Sequence, residues 1–327
     1  MKVYNNIHQL PVFKNAVITI GTFDGVHQGH QQIIEQLLQE AREINGTAVL
    51  ITFFPHPKQV VNTLQSHSRE DGSKAGGGSI QLLNTPEEKY ELLHHFGIEH
   101  IVVVPFNKSF AEQSAASYIK EFLVEKFHPH TIIIGYDHRF GNNREGDYHL
   151  LEDEAGKYNY RVKEIPEHVL QNITISSTKI RTALLQADVD TATAYLGYPY
   201  FFSGTVVKGN QMGRTIGYPT ANLTIENEQK LVPANGVYAV EVILHGKKNI
   251  YKGMMNIGLR PTVDGSKRMI EVNIFDFDEM IYGRKLQVTL IKHLRTEVKF
   301  NGLDELKNQL AKDKLKAMES FKMGNRQ

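Results

Sequence analysis

The pattern of hydrophobic residues changes once along the chain, and this change limits the possible folds more than any other feature of the sequence. Between residues 16 and 185, short β-branched runs alternate with amphipathic stretches, whereas from Phe202 onward strand-like runs follow one another between glycines and prolines. The first pattern predicts a parallel sheet with crossover helices, and the second predicts an antiparallel barrel. At 327 residues the chain is longer than a single hydrophobic core usually supports. We therefore expect two domains, 1–187 and 201–327, joined by a linker over 188–200.

The predicted strands of the first domain are short runs rich in valine, isoleucine and threonine. They are AVITIG from residue 16, TAVLITF from 47, HIVVVPF from 100, TIIIG from 131 and YRVKEI from 160. Helices are predicted between or after them, over 29–44, 86–96, 115–126 and 177–186. In sheets of this kind, ligands gather at the carboxyl ends of the strands.

In the second domain, five runs predict strands: FFSGTVV, GVYAVEVIL, IYKGMMNIG, MIEVNIF and KLQVTLIKHL. A helix is expected to close the barrel, because the apolar residues of the tail have spacings that suit one helical face. These residues are Leu303, Leu306, Leu310, Met318 and Phe321.

One polar stretch, NTLQSHSREDGSKAGGGS at 62–79, departs from the alternating pattern and predicts a mobile loop. It is interpreted either as a tolerated surface insertion or as a flap over an active site, because long unstructured loops are often one or the other. The residues do not decide between these two interpretations.

Composition excludes several classes of function. The chain carries 37 basic and 36 acidic residues, a formal charge of +1, and so lacks the excess of positive charge typical of nucleic-acid binding. Its apolar runs are far shorter than the roughly 20 residues that span a bilayer, and its start does not resemble a signal peptide. With no cysteine, it has no disulfide, no catalytic thiolate and no cysteine ligand for zinc. We expect a cytoplasmic protein that binds neither nucleic acid nor membranes.

The segment GTFDGVHQGH, 21–30, places glycines and two histidines where the first long strand passes into a helix. Backbone N–H groups at a helix start attract anions, and His27 and His30 can donate further hydrogen bonds to phosphate oxygens. The segment is neither a Rossmann GxGxxG nor a P-loop. Two alternatives stay open, namely a metal-binding histidine pair and a purely structural pair. Asp24 has a second interpretation as a turn residue, because Asp-Gly suits a tight turn.

The segment ISSTKIR, 175–181, has an unusual charge pattern for a helix start. Ser177 and Thr178 are favoured at helix N-caps, so a helix is expected to begin here. Lys179 and Arg181 would then lie in its first turn, where cations oppose the helix dipole. A bound triphosphate would remove this penalty, and Arg181 could stabilise the charge on departing pyrophosphate. The alternative is a pair of solvated surface cations.

The second domain contains a glycine-punctuated loop and an isolated strand carboxylate. The loop KGNQMGRTIGYPTAN, 208–222, ends with Thr220 and Asn222, whose oxygens suit magnesium held mainly by nucleotide phosphates. Local turn chemistry after the proline is the alternative. In MIEVNIF, strand alternation places Glu271 opposite the aliphatic side chains. This carboxylate could act as a general base or could simply meet water.

Several of these segments, in this order, resemble the motifs of one family. GTFDGVHQGH is similar to the HxGH signature of the nucleotidyltransferase superfamily, in the form typical of bacterial bifunctional riboflavin kinase/FMN adenylyltransferases. TFFPHP at 52–57, GYDHRFG at 135–141 and ISSTKIR resemble three further motifs of that family. In the second domain, the resemblance extends to its riboflavin kinase motifs, in GRTIGYPTAN, NIGLRPT, Glu271 and FDFDEMIYG.

For the first domain, the resemblance implies a Rossmann-like nucleotidyltransferase fold, in which the FMN phosphate attacks the α-phosphorus of ATP to give FAD and pyrophosphate. It also implies catalytic roles for His27, His30 and Arg181. The implied ATP-binding residues are Gly21, Phe23, Asp24, Gly25, His27, His30, Ser177, Thr178 and Arg181. The residues implied to line the FMN or nucleotide site are His56, Pro57, Asp137 and Phe140.

For the second domain, the resemblance implies a six-stranded antiparallel barrel with a C-terminal helix that phosphorylates riboflavin with MgATP. Glu271 would be the base that activates the ribityl 5′-hydroxyl, and Arg295 would lie near the flavin. The implied ATP-binding residues are Gly209, Gly213, Arg214, Gly217, Pro219, Thr220 and Asn222, of which Thr220 and Asn222 would hold Mg²⁺. ATP is then the co-substrate, and riboflavin, FMN and FAD are substrates and products.

Two rival functions remain. The first is a nucleotidyltransferase for another phosphate-bearing acceptor, with the barrel as a regulatory module; PTAN and Glu271 would then have no role. The second is a flavin-sensing regulator without turnover, which the intact HxGH segment disfavours. We expect small molecules as the partners and a monomer or a weak homo-oligomer.

Overall fold

The structure, a computed structural model, describes residues 1–67, 80–165, 175–209, 212–262 and 265–324. Contacts between Cα atoms divide the chain into two compact units, Met1–Ser176 and Ser177–Gln327. The division lies eleven residues before the predicted end of the first domain at 187, so the helix of ISSTKIR belongs to the second unit. The limits of the two catalytic domains stay a prediction.

The first unit is built on a six-stranded sheet, ordered β1-β4-β3-β2-β5-β6, in which every pair of neighbours is parallel. This confirms the predicted parallel sheet. The sequence pattern missed the short edge strand β1, which pairs with β4 through three residues. The strands are β1 (Lys2–Tyr4), β2 (Ala16–Ile20), β3 (Ala48–Phe54), β4 (His100–Pro105), β5 (Pro129–Gly135) and β6 (Arg161–Ile165).

Helices lie between the strands of the first unit, as the alternation predicts, although those at Pro57–His67 and Tyr148–Tyr158 occupy stretches where no helix was predicted. Separate apolar clusters around Ile18 and Val17, adjacent residues of β2 on opposite faces, form the core. The helices are α1 (Gln28–Glu43), α2 (Pro57–His67), α3 (Pro86–His95), α4 (Lys108–Ala111), α5 (Ala115–Ser117), α6 (Glu125–Phe127) and α7 (Tyr148–Tyr158). A π-helical stretch, Tyr118–Val124, joins α5 to α6, and a 3-10 turn covers Asn142–Arg144.

The predicted loop over 62–79 was wrong at its start. Residues 62–67 belong to α2, because the apolar Val60, Val61 and Leu64 continue a helical pattern into the polar stretch. The rest of that stretch, 68–79, lies outside the described residues. Both interpretations of this stretch, a surface insertion and an active-site flap, therefore stay open.

The second unit contains a closed antiparallel barrel in the order β10-β11-β8-β7-β12-β9, which confirms the predicted fold. The sixth strand, β8, was missed because it is short and overlaps PTAN, whose proline suggests a turn. The strands are β7 (Phe201–Val207), β8 (Ala221–Thr224), β9 (Gly236–Leu244), β10 (Ile250–Thr262), β11 (Gly265–Ile274) and β12 (Lys285–Arg295).

Four helices accompany the barrel in the described part of this unit. They are α8 (Ser177–Leu185), α9 (Val189–Leu196), α10 (Met212–Thr215) and α11 (Leu303–Gly324). The last is the predicted closing helix, and its Ala317 and Phe321 are buried against the barrel. The stretch predicted as a linker, 188–200, contains α9 and ends in the fully buried Tyr200, whose hydroxyl donates to the Leu231 carbonyl at 2.7 Å.

Among the described residues, no helix combines the length and the apolar character needed to cross a membrane.

Candidate active sites

The loop between β2 and α1 has an unusual backbone. Phe23, Gly25 and Val26 have φ angles of 49°, 87° and 36°, all in the left-handed region. A positive φ is costly for a β-branched residue such as valine and persists only where packing enforces it. Phe23 and Val26 are both buried, so the core holds the loop in this conformation. The strain lies at the carboxyl end of the central strand, where parallel sheets bind their ligands.

This loop presents two stacked imidazoles. His27 is the N-cap of α1, and its Nδ1 accepts a hydrogen bond from the backbone N–H of His30 at 3.4 Å. The ring centroids are 3.7 Å apart, with 15° between the planes. Burial, with smaller contributions from His27 and Lys89, holds the pKa of His30 well below its usual 6.5. His30 is therefore uncharged at neutral pH, and its Nδ1 is buried with no hydrogen-bond partner among the described residues.

An uncharged imidazole with an unsatisfied nitrogen, at the N-terminus of a sixteen-residue helix, suits an anionic ligand. An orphaned buried polar atom costs about 1–3 kcal/mol unless a ligand satisfies it. The metal alternative lacks support, because no group of three or more possible histidine, aspartate or glutamate ligands occurs within the described ranges.

Asp24 is buried, and its carboxylate binds backbone groups that hold the loop in place. Its carboxylate is 4% exposed and accepts backbone hydrogen bonds from Leu83 at 2.9 Å and Asn84 at 3.4 Å. These contacts favour the interpretation of Asp24 as a residue that fixes the loop. Its predicted contact with ATP, like those of Gly21, Phe23 and Gly25, stays a prediction.

The residues predicted around the flavin differ in exposure. His56 and Pro57 lie at the start of α2, where His56 Nδ1 accepts from the Lys58 backbone N–H at 3.2 Å. Asp137 is exposed, whereas Phe140 is 5% exposed and stacks on Tyr118 within the core. This burial favours a packing role for Phe140.

Two aromatic side chains that the sequence reasoning passed over are exposed at the same edge of the sheet. Phe54, the last residue of β3, is 50% exposed, and Tyr136, directly after β5, is 43% exposed. The two strands flank β2, so their ends lie about 10 Å apart on either side of the loop at 21–27 that leads into His27 and His30, here called the histidine loop.

The helix predicted at ISSTKIR is present as α8, which begins at Ser177. Thr178 and Lys179 are exposed in its first turn, and Arg181, half-buried, lies one residue beyond that turn. Because α8 belongs to the second unit, a shared phosphate site of Ser177, Thr178 and Arg181 with His27 and His30 stays a prediction.

In the barrel, three polar side chains lie in one row across neighbouring strands. Glu271 on β11 is directly opposite Asn222 on β8 and Asn256 on β10. Directly opposed residues share a face of the sheet, with Cβ atoms roughly 5 Å apart. The neighbours Ile270 and Val272 are buried in the barrel, as the predicted alternation requires.

This row lies beside a cavity of about 370 Å³ on the face that α11 covers. Thr220, Glu271 and Asn256 line it, together with apolar side chains of the strands, of the 298–300 segment and of α11. Those apolar residues include Val237, Met255, Val298, Phe300, Leu306 and Leu310. A largely apolar cavity with a few convergent polar groups is typical of a site for a flat organic ligand.

Asn222 is 5% exposed, and its Oδ1 has no hydrogen-bond partner among the described residues. The glycine loop allows this placement, because a Cβ on Gly209 would collide with the Asn222 amide. A Cβ on Gly213 would collide with the Tyr218 carbonyl, and Gly217 has a φ of 85°. Arg214 and Pro219 are exposed in the same segment.

Arg295 lines the cavity, but its guanidinium is already bound. It donates to both carboxylate oxygens of Asp313, at 2.8–3.0 Å, and to the Thr296 carbonyl at 2.9 Å. Asp313 lies on α11, is fully buried and also accepts from Gln309 at 2.8 Å. The pair thus fixes α11 against the end of β12, and Arg295 shapes the cavity through this contact. Its direct contact with a flavin stays a prediction.

Asp313→Ala is expected to loosen this wall of the cavity. Removing one partner of a buried ion pair costs about 3–5 kcal/mol, since the other charge is left uncompensated. We expect faster amide hydrogen exchange in α11 and a weaker affinity of the barrel for its ligand. Glu319→Gln, at an exposed position of the same helix, is the control. Equal protection of α11 in both variants would contradict the role of the pair.

The sequence does contain a pattern that predicts a buried role for Asp313, although this residue lies outside the family motifs. Leu306, Leu310, Asp313, Ala317 and Phe321 have spacings of three and four residues, which place a carboxylate within the apolar stripe of a helix. A charged residue there requires a buried partner. Asn256 opens the quoted segment NIGLRPT but was not singled out there, and no comparable signal marked Lys89.

The fold defines a class of protein with two candidate ligand sites, one at the carboxyl ends of a parallel sheet and one beside an antiparallel barrel. The profile of the family described as FAD synthetase matches residues 10–179, and that described as riboflavin kinase matches residues 196–321. The chain is 37% identical over 323 residues to the bifunctional riboflavin kinase/FMN adenylyltransferase of Escherichia coli K12, covering 98% of each chain.

The enzyme of the same name from Bacillus subtilis is 37% identical over 311 residues, covering 94% of this chain and 92% of the relative. A crystal structure described as a macrolide-efflux protein from Streptococcus pneumoniae is also similar, with a TM-score of 0.80 and 30% identity, covering 96% of this chain and 97% of that one. This chain belongs to the family of bifunctional riboflavin kinase/FMN adenylyltransferases.

Proposed function

We propose that this chain makes FAD from riboflavin in two ATP-dependent steps. The barrel unit transfers the γ-phosphate of ATP to the ribityl 5′-hydroxyl of riboflavin, giving FMN and ADP. The sheet unit then joins the FMN phosphate to the α-phosphorus of a second ATP, giving FAD and pyrophosphate. Membership of the family and a nucleotide-type site in each unit support both steps.

The observation that carries the kinase step is the row of Asn222, Glu271 and Asn256 beside the apolar cavity. In this proposal the cavity holds the flavin ring, and Glu271 takes the proton of the 5′-hydroxyl as its oxygen attacks the γ-phosphorus. Arg295 shapes the cavity through Asp313. Phosphoryl transfer then depends on positioning and charge neutralisation, with no covalent enzyme intermediate.

We place Mg²⁺ at Thr220 and Asn222. The orphaned, buried Oδ1 of Asn222 fits a hard cation that is also bound by nucleotide phosphates, and the Thr220 hydroxyl is the second neutral oxygen. When bound, the ion would neutralise phosphate charge. Asn222→Ala should raise the Mg²⁺ concentration needed for half-maximal FMN formation by about tenfold or more, the usual effect of losing a contact of 1–2 kcal/mol. An unchanged Mg²⁺ requirement would contradict this placement.

For adenylyl transfer, His27, His30 and the N-terminus of α1 would bind the ATP phosphates, with Ser177, Thr178 and Arg181 at the start of α8 as further ligands. The FMN ring would stack on the exposed aromatic rings of Phe54 and Tyr136, near His56, Pro57 and Asp137. Stabilising the charge that develops on phosphate oxygens is the main work of such a site.

One assay tests both steps: the purified protein is mixed with riboflavin and MgATP, and the flavins are separated by chromatography over time. We expect FMN first and FAD afterwards. An absence of FMN would exclude the kinase step, while FMN that never becomes FAD would exclude the adenylyl transfer. We further propose that the enzyme works in the cytoplasm as a monomer or weak homo-oligomer, which sedimentation at several concentrations would test.

A further inference from the structure

A lysine beside the histidine loop is hydrogen-bonded so that it connects three elements of the first unit. Lys89, on α3, donates from Nζ to the Thr22 carbonyl at 3.2 Å and to the Thr52 hydroxyl at 3.0 Å. Thr52, fully buried in β3, donates its own hydroxyl to the same Thr22 carbonyl at 3.1 Å. One ammonium group therefore joins α3, the end of β3 and the strained loop that carries the histidines.

Titratable groups of the loop, of α1 and of α3 surround this ammonium group. Asp24 and His30 interact with it electrostatically, and the Tyr90 ring centroid is 6.0 Å from Nζ. Glu87 and Glu88 precede Lys89 in the first turn of α3. Burial lowers the pKa of Lys89 to about 8, and Asp24 opposes this shift. Glu88 is occupied in a capping box with Thr85. Lys89 is thus a cation at neutral pH that loses its proton more readily than a surface lysine.

We propose that Lys89 is a positioning residue for nucleotidyl transfer: its ammonium group fixes Thr22 against Thr52 and so holds His27 and His30 where they receive the triphosphate. This inference rests on the proposed adenylyltransferase function. It explains how a loop with positive φ at Phe23 and Val26 is kept in place, because such strain must be balanced by surrounding contacts. The cation also disfavours protonation of His30, which stays a neutral hydrogen-bonding group.

Lys89→Met tests the inference, because it keeps much of the side-chain stem and removes the charge and both hydrogen bonds. Charge-assisted hydrogen bonds are strong enough that we expect FAD formation from FMN to fall by about 30-fold or more. Lys157→Met, the same change at an exposed helical lysine of this unit, is the control. FMN formation by the barrel unit should stay at the wild-type rate in both variants. If Lys89→Met formed FAD as fast as Lys157→Met, the proposal would be overturned.

A pH profile separates positioning from a general loss of structure. For the wild type, kcat/KM for ATP in FAD formation should fall above pH 8 as Lys89 in the free enzyme loses its proton. Lys89→Arg keeps a cation that does not titrate in this range, so its activity should be partly restored and its alkaline fall should move to higher pH. An identical alkaline fall in wild type and Lys89→Arg would overturn the proposal, even if Lys89→Met did not fold.

Hydrogen exchange supplies a measurement that does not depend on activity. Backbone amides of 21–27 should exchange about tenfold faster in Lys89→Met than in Lys157→Met, because the loop has lost its anchor. Unchanged exchange would exclude the positioning role. If the wild type formed no FAD while the loop still lost protection in Lys89→Met, the proposed function would fail and the structural role of Lys89 would stand.

Discussion

Glu271→Gln is expected to lower kcat for FMN formation by about 10²–10⁴-fold, the usual contribution of a positioned general base. The amide keeps the size and one hydrogen-bond acceptor of the carboxylate but does not take the proton from the ribityl hydroxyl. The side chain lies between Asn222 and Asn256 at the cavity, so binding of riboflavin should change much less than turnover. Initial rates of FMN formation, measured by chromatography at saturating MgATP, give the result.

Two comparisons make this prediction specific to Glu271. Glu241→Gln changes a strand carboxylate of the same barrel that does not line the cavity, and should leave FMN formation unchanged. Added FMN should still become FAD in Glu271→Gln, because His27 and His30 belong to the other unit. A kcat within a few-fold of wild type would remove Glu271 from the chemistry, and loss of both steps in a folded protein would contradict the assignment of two sites.

His30→Ala should have the opposite effect, with FAD formation from FMN reduced by about 10²–10³-fold, as when one preorganised donor to a developing charge is lost. The imidazole is held by its stack on His27, stays uncharged because burial lowers its pKa, and has a buried Nδ1 without a partner among the described residues. The substitution removes this ready-made ligand for phosphate. Rates with FMN and MgATP measure the effect.

His149→Ala is the matched variant, since it removes an exposed histidine from α7 of the same unit. It should form FAD at the wild-type rate. Riboflavin should still be phosphorylated by His30→Ala, so FMN should accumulate. Normal FAD formation in His30→Ala would show that the paired histidines have only the structural role considered at the outset.

The sequence predicted most of the strands and the closing helix, but it missed two short strands and the eleven-residue helices α2 and α7. Periodicity and β-branched runs identified β2 to β6 and the closing helix, because each is long enough to show a pattern. It missed β1 and β8, three and four residues long, which are strands only because neighbouring strands pair with them. The helical start of the polar stretch at 62–67 was missed because its composition suggests a loop, whereas its backbone continues α2.

At the candidate sites, the structure brings together some residues of the predicted motifs, and their roles in catalysis stay predictions. Glu271 and Asn222 are directly opposed on neighbouring strands of the barrel. The sequence did not predict that the Arg295 guanidinium binds Asp313, or that Lys89 donates to the Thr22 carbonyl, 67 residues earlier in the chain. Such contacts depend on how separate segments pack, which local patterns do not encode.

The shortness of β8 has a consequence for how the barrel resists proteolysis. This strand pairs with β11 through three residues and with β7 through three, and it carries Asn222. If β8 detached, the barrel would gain two unpaired strand edges and lose its proposed metal ligand in the same event. A ligand that binds only the closed form suppresses such opening by mass action. Bound MgATP should then lower the fraction of molecules with an open barrel, and with it the rate of proteolytic cleavage in the purified protein.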